Sequence, residues 1–189
     1  MQKHIRERNR ESDYTEKRLE WLVFGASARA PNRNRSTMSR SKPRVLAVAS
    51  SGGHWIQMMR VLPAFEGAEI AFIAVDNDYR NQVPGHRVHV VNDANRWNRL
   101  GSFTLGLRVL LAVIRERPDV VFSTGAAPGF FALLFGRLLG ARVIWLDSVA
   151  KVEEMSLSGR MVRPFSHLCL TQWPELSESG QAEFAGRVF

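Results

Sequence analysis

The chain has 189 residues, 45% of them apolar, and a formal net charge of +8, which suits one globular domain with some extra chain. A single cysteine, Cys169, excludes an internal disulfide framework and fits a reducing compartment. No uninterrupted run of about 18 apolar residues marks a membrane span, the N-terminus lacks the apolar centre of a secretory signal, and the basic balance points to anionic partners without choosing among nucleic acid, acidic lipid and phosphorylated substrates.

Residues 1–41 differ from the rest. "MQKHIRERNRESDYTEKR" is densely charged, "RAPNRNRSTMSRSKP" is polar and basic, and the "LEWLVFGASA" between them is too short to span a bilayer. This composition predicts a disordered segment with a transient helix around Tyr14 to Phe24. It reads either as a basic arm for an acidic surface or as an upstream extension of a chain that starts at Met38. From residue 42 to 189 strands and helices alternate. "RVLAVA" (44–49) is a buried strand, "HWIQMMRVLPAF" (54–65) a helix, "EIAFIAV" (69–75) a strand and "RVHVV" (87–91) a shorter one. "SFTLGLRVLLAVIRER" (102–117) is a long helix ended by Pro118, followed by the strand "DVVFST" (119–124), the helix "PGFFALLFGRLLG" (128–140) and the strand "ARVIWL" (141–146). A short helix over 157–165, a strand "HLCLTQ" (167–172) and a terminal strand in "EFAGRVF" close the chain. Continuous apolar strands separated by helices predict a parallel sheet covered on both faces, a Rossmann-like doubly wound α/β domain. Ligands in such sheets bind at the carboxyl ends of the strands.

Three stretches lie at that edge. Ser50, Ser51, Gly52, Gly53 and His54 follow the first strand. Adjacent glycines let a ligand approach the backbone, and the next helix offers free N–H groups and a positive dipole end, so an anion is the expected guest. The dinucleotide fingerprint G-x-G-x-x-G is absent, leaving a phosphate site of another kind or a plain tight turn. "STGAAPG" (123–129) repeats the pattern after a later strand, as a second ligand edge or as close packing of helix on strand. "LDSVAK" (146–151) places Asp147 and Ser148 at a third strand end, as a base or hydroxyl holder, or as a helix cap.

Other stretches read less sharply. Asp76-Asn77-Asp78 is a solvated acidic loop on base rates, against a metal-binding D-x-D or a ribose-holding acid. His86 and His89 point to opposite faces of one strand, and no Cys/His group has zinc spacing, so no metal is expected. "NRWNRLGSFTLGLRVLLAVIRER" mixes arginines with Trp97, Leu100 and Phe103. Most of its leucines are expected in the core, with Trp97, Arg99, Leu100 and Phe103 touching a membrane surface.

The blocks "SSGGHWIQMMRVL", "DVVFSTGAAPG" and "RVIWLDSVAKVEEMSLSGRMVRPFSHLCLTQWPEL" carry a resemblance. Over residues 43 to 189 the chain resembles the acceptor-side, membrane-recruiting subunit of the dolichol-pathway N-acetylglucosaminyltransferase, the ALG-fourteen type. It looks closest to the bacterial exopolysaccharide, PssD-like branch. The resemblance implies a domain equivalent to the N-terminal half of a GT-B glycosyltransferase. It implies a split, inverting, metal-independent enzyme in exopolysaccharide or capsule assembly. In that reading this chain binds a polyprenyl-diphosphate-linked saccharide, and a small partner subunit, equivalent to the C-terminal half of a GT-B enzyme, holds the UDP-sugar donor. No cofactor is implied. Ser51, Gly52, Gly53 and His54 match the family's glycine turn, facing the acceptor diphosphate. Thr124, Gly125 and Gly129 match its second small-residue edge, and Asp147 and Ser148 its acidic-Ser pair, where glutamate is common. His54 is the first choice of catalytic base, because histidine as a residue type exchanges its proton near working pH, and Asp147 is the second. Eukaryotic members carry an N-terminal span and this sequence shows none, so peripheral attachment to the cytoplasmic face of the inner membrane is expected. Two rivals stay open: a non-catalytic membrane scaffold that recruits the enzyme, and a stand-alone nucleotide-binding Rossmann enzyme. Charge alone suggests nucleic acid, and no such partner is expected.

Overall fold

A computed structural model describes residues 42–92, 99–184 and 186–188. The strands are β1 (Arg44–Val48), β2 (Glu69–Ala74), β3 (Arg87–Val90), β4 (Val120–Ser123), β5 (Arg142–Leu146), β6 (Leu168–Thr171) and β7 (Glu183–Phe184). They form one sheet in the order β3-β2-β1-β4-β5-β6-β7, with every neighbouring pair parallel. The helices are α1 (Gly53–Val61), α2 (Arg99–Glu116), α3 (Ala126–Leu138), α4 (Leu157–Val162) and α5 (Pro174–Glu178). This is the doubly wound α/β architecture expected from the sequence. The segment 1–41 and Trp97 lie outside the described residues.

Alternation along the strands feeds two cores. Val45 and Ala47 of β1 join Trp55, Met58 and Val61 of α1 on one face. Leu46 and Val48 join Leu105, Val109, Ala112 and Val113 of α2 and Leu133 of α3 on the other. Local chemistry sets the boundaries. Pro63 turns the end of the first predicted helix into a 3₁₀ segment, Leu62–Phe65. Pro118 lies just beyond α2, and Gly140, at φ 87°, just beyond α3. Two short elements were not foreseen: a 3₁₀ segment at Asn77–Gln82 and α5. The terminal strand is only two residues long.

The order reverses between β1 and β4. Their outgoing connections leave to opposite faces of the sheet, which opens a crevice between their carboxyl ends. The "SSGGH" turn and the "STGAAPG" turn form its two sides.

Candidate functional site

The crevice is closed at its base by a reciprocal pair of hydrogen bonds. Nδ1–H of His54 donates to the Thr124 carbonyl at 2.7 Å, and the Thr124 hydroxyl donates to the His54 carbonyl at 2.7 Å. Because a carbonyl only accepts, this pairing places the proton of the neutral ring on Nδ1 and leaves the lone pair on Nε2. The partly exposed ring lies against Gly125, whose φ is 144° and where an added Cβ would fall 2.3 Å from His54 Cε1. Gly125 therefore exists to seat the imidazole. Ala126, the first residue of α3, is also left-handed at φ 66°, a strained conformation for a residue with a Cβ.

The first glycine turn is held differently. Gly52 has φ 64° and ψ −128°, and its N–H donates to the Tyr79 hydroxyl at 3.0 Å. Tyr79 stacks on Trp55 at 4.2 Å between ring centroids, and Trp55 Nε1 donates to Gln82 at 2.8 Å. Gly53 is exposed, has no positive φ, and a Cβ there would meet nothing within 4 Å. Nothing inside the fold requires glycine at that position; a bare backbone at the start of α1 leaves room for a guest. The N-termini of α1 and α3 both open at this crevice, so two positive dipole ends and their free N–H groups converge on it. Ser51 is exposed beside them.

The other expected site residues fall elsewhere. Gly129 is buried, and a Cβ there would fall 2.0 Å from Ser123 Oγ and 3.1 Å from the Trp145 ring. It packs α3 on the sheet rather than lining the crevice. Asp147 is 1% exposed and is a structural post. Its carboxylate accepts from Trp145 Nε1 at 2.9 Å, from the Ser156 N–H at 2.8 Å and from the Ser156 hydroxyl at 2.5 Å. Ser156 in turn caps α4 by accepting from the Gly159 N–H at 3.0 Å. The helix cap is thus Ser156, not Asp147 or Ser148, and a carboxylate so committed is badly placed to accept a substrate proton. Ser148 only turns the loop, accepting from the Ala150 N–H at 3.3 Å. The "QWPEL" block secures the same loop: Gln172 Nε2 donates to the Asp147 carbonyl and Trp173 Nε1 to the Val149 carbonyl, at 3.1 and 2.8 Å.

Asp76 caps the 3₁₀ segment after β2 by accepting from the Asp78 N–H at 3.0 Å, which is the plain loop role. Among the described residues no group of three or more His, Cys, Asp or Glu gathers as metal ligands. Cys169 is half-buried in β6, and desolvation, then the Asp147 carboxylate, pushes its thiol up to about 12, so it stands as a thiol rather than a thiolate nucleophile. Sequence reasoning missed Tyr79 and Gln82, whose partners are 27 residues away in each case. An aromatic after β2 and another opening α1 were the available signals.

The leucines of α2 correct the expectation of a core-facing helix. Leu100, Phe103, Leu107, Leu111 and Ile114 are all exposed, Leu100 by 79% and Phe103 by 72%. At 100° per residue they share one narrow face, opposite the buried Leu105, Val109, Ala112 and Val113. Between α2 and α3 lies an apolar groove of about 290 Å³ lined by Phe103, Gly106, Leu107, Leu110, Phe131 and Phe135. Among the described residues no helix is long and apolar enough to cross a membrane.

Comparison with known proteins places these features. The family described as "Oligosaccharide biosynthesis protein Alg14 like" matches residues 94–188. The mouse UDP-N-acetylglucosamine transferase subunit ALG14 is 27% identical, with 89% of each chain covered. Its Yarrowia lipolytica counterpart is 25% identical, over 77% of this chain and 81% of that one. Among solved structures, Acinetobacter baumannii MurG superposes with a TM-score of 0.58 at 15% identity, over 70% of this chain. The chain spans only 42% of that structure's length, so this likeness concerns the fold of one part of it.

Proposed function

The chain belongs to the Alg14-like family of oligosaccharide biosynthesis proteins, and from that premise we propose that it is the acceptor-side subunit of a split, inverting glycosyltransferase. The relatives named as UDP-N-acetylglucosamine transferase subunits support a transferase role. The fold supports one half of a two-domain enzyme, with the UDP-sugar brought by a partner subunit equivalent to the other half. The acceptor in this reading is a saccharide on a polyprenyl diphosphate, in the exopolysaccharide-type setting suggested by the sequence resemblance. The chain sits peripherally at the cytoplasmic face of the membrane. The outward apolar face of α2 supports that attachment, with Leu100 and Phe103 entering the headgroup region.

The observation that carries the proposal is the His54–Thr124 clasp at the point of strand reversal. The acceptor diphosphate lies on the N-termini of α1 and α3, against Gly52 and Gly53. The acceptor hydroxyl then gives its proton to His54 Nε2 as its oxygen attacks the anomeric carbon of the donor. The bond from that carbon to the UDP oxygen breaks, and UDP leaves with the electron pair. Nδ1–H stays on the Thr124 carbonyl throughout, which orients the ring and steadies the imidazolium. Gly125 fixes where the ring stands.

The test is His54→Ala in the full chain, co-purified with its partner. Transfer is expected to fall by about 10²–10⁴-fold, with the partner still bound. Unchanged turnover removes His54 from the mechanism and favours the scaffold reading, in which this chain affects assembly alone.

A further inference from the structure

We propose that Tyr79 is a further acceptor-binding residue, whose phenolic O–H donates to an oxygen of the diphosphate held at the first glycine turn. The proposal rests on the acceptor-binding reading above. Three observations carry it. The first is the state of the hydroxyl. Gly52 N–H donates to the Tyr79 oxygen at 3.0 Å. A phenol also has a proton of its own to give, and among the described residues no acceptor takes it. With a lone pair turned to Gly52, the O–H points away from that N–H. The oxygen thus receives one donor and presents another, and the bond it accepts strengthens the bond it gives.

The second observation is what stands beside that hydroxyl. Gly52 is the N-cap of α1 and brings no side-chain oxygen to the helix. Its carbonyl accepts from the Ile56 N–H at 3.1 Å, but the N–H groups of Gly53, His54 and Trp55 have no acceptor among the described residues. A Ser or Asp at the cap would take one of them, whereas glycine leaves them for a guest. The first turn of α1 holds no acid. Tyr79 bonds to the residue just before these three and adds a fourth donor at the positive end of the dipole, which suits an anionic oxygen. The third is rigidity. The Tyr79 ring stacks on Trp55 at 4.2 Å with 11° between the planes. Trp55 is 2% exposed and donates through Nε1 to Gln82 at 2.8 Å. Gln82 and Tyr79 share the 3₁₀ segment Asn77–Gln82, and Arg80 of that segment donates to the Val88 carbonyl of β3 at 3.0 Å. The hydroxyl is therefore fixed before a ligand arrives, and little side-chain freedom is lost when it binds.

The contact is tested on the full chain with two probes, inorganic diphosphate and, as the uncharged control, glucose. Tyr79→Phe keeps the ring on Trp55 and deletes the oxygen; calorimetry is expected to show inorganic diphosphate binding about 10- to 100-fold more weakly. Loss of the Gly52 turn alone would also weaken binding, so a second measurement reads the hydroxyl directly. The chain has two tyrosines, Tyr14 and Tyr79. In Tyr14→Phe, tyrosine labelled with carbon-13 at Cζ gives one resonance, from Tyr79, and inorganic diphosphate is expected to move it while glucose does not. That signal reports on the native side chain even if Tyr79→Phe folds poorly. Weaker binding with an unmoved resonance reduces Tyr79 to a prop for Gly52 and overturns the contact. Equal binding by Tyr79→Phe, again with an unmoved resonance, overturns it and leaves the diphosphate crevice standing. A resonance that answers to glucose and not to diphosphate assigns the hydroxyl to a sugar and overturns it too. No binding of inorganic diphosphate by the native chain overturns both the contact and the crevice.

Discussion

Replacing Asp147 by Asn separates a structural post from a catalytic base. In the native protein one carboxylate oxygen takes Trp145 Nε1–H and the Ser156 hydroxyl, and the other takes the Ser156 N–H at 2.8 Å. Asn keeps the shape but has a single acceptor. In either orientation its NH₂ group faces a buried donor, Ser156 N–H or Trp145 Nε1–H, and one hydrogen bond becomes an opposed pair of donors. The cost of one unsatisfied buried donor, plus the weaker bonds a neutral acceptor makes, is roughly 2–3 kcal/mol. For a domain of this size the melting temperature should fall by about 4–12 °C. Thermal unfolding by circular dichroism measures that, and transfer assayed well below the transition, with the partner present, measures the chemistry. Destabilisation with turnover retained in the folded fraction is the expected pair of results. A native melting temperature with transfer lost would refute the reasoning and return Asp147 to the role of base.

Two further perturbations probe the clasp and the far end of the sheet. Gly125→Ala forces a Cβ to within 2.3 Å of the His54 ring at a φ of 144°; it should cost about 1–3 kcal/mol and depress transfer as severely as His54→Ala, so native turnover in this variant would show that the ring needs no fixed seat. At the opposite edge, burial pushes the Glu116 carboxyl up, but hydrogen bonds from Arg87 and then His89 outweigh it and hold the pKa below its ordinary value. A lowered carboxylate contributes stability above its unfolded pKa of about 4.3 and loses it as pH falls through the folded value. Melting temperatures from neutral pH into the acid range should therefore drop more steeply for the native chain than for Glu116→Gln, and parallel curves would discount the cluster.

The architecture was legible because buried parallel strands read as short apolar runs punctuated by Gly and Pro. That the turns after β1 and β4 share one crevice was legible for the same reason: their residues are local, and topology does the rest. What failed was anything that depends on direction in space. Leu100, Leu107 and Leu111 are as apolar as Leu105, and composition does not say which side of α2 the sheet lies on. The commitment of Asp147 to Trp145 and Ser156 was equally invisible, because an acid at a strand end reads the same whether its oxygens are spoken for or not. Gly129 shared its small size with Gly125, yet one is a gap between helix and strand and the other a seat for a ring.

The clasp joins residues 70 positions apart, yet the strands that carry them lie side by side. Everything between, from the Tyr79 segment through β3 and α2, is an excursion that leaves the sheet centre and returns. Its length enters the closure entropy only logarithmically. Residues can be inserted at the exposed turn 84–85 without altering the register of β1 against β4, and so without shifting the imidazole against its carbonyl. The clasp is anchored to the centre of the sheet, while the excursion at its edge can change in length without disturbing it.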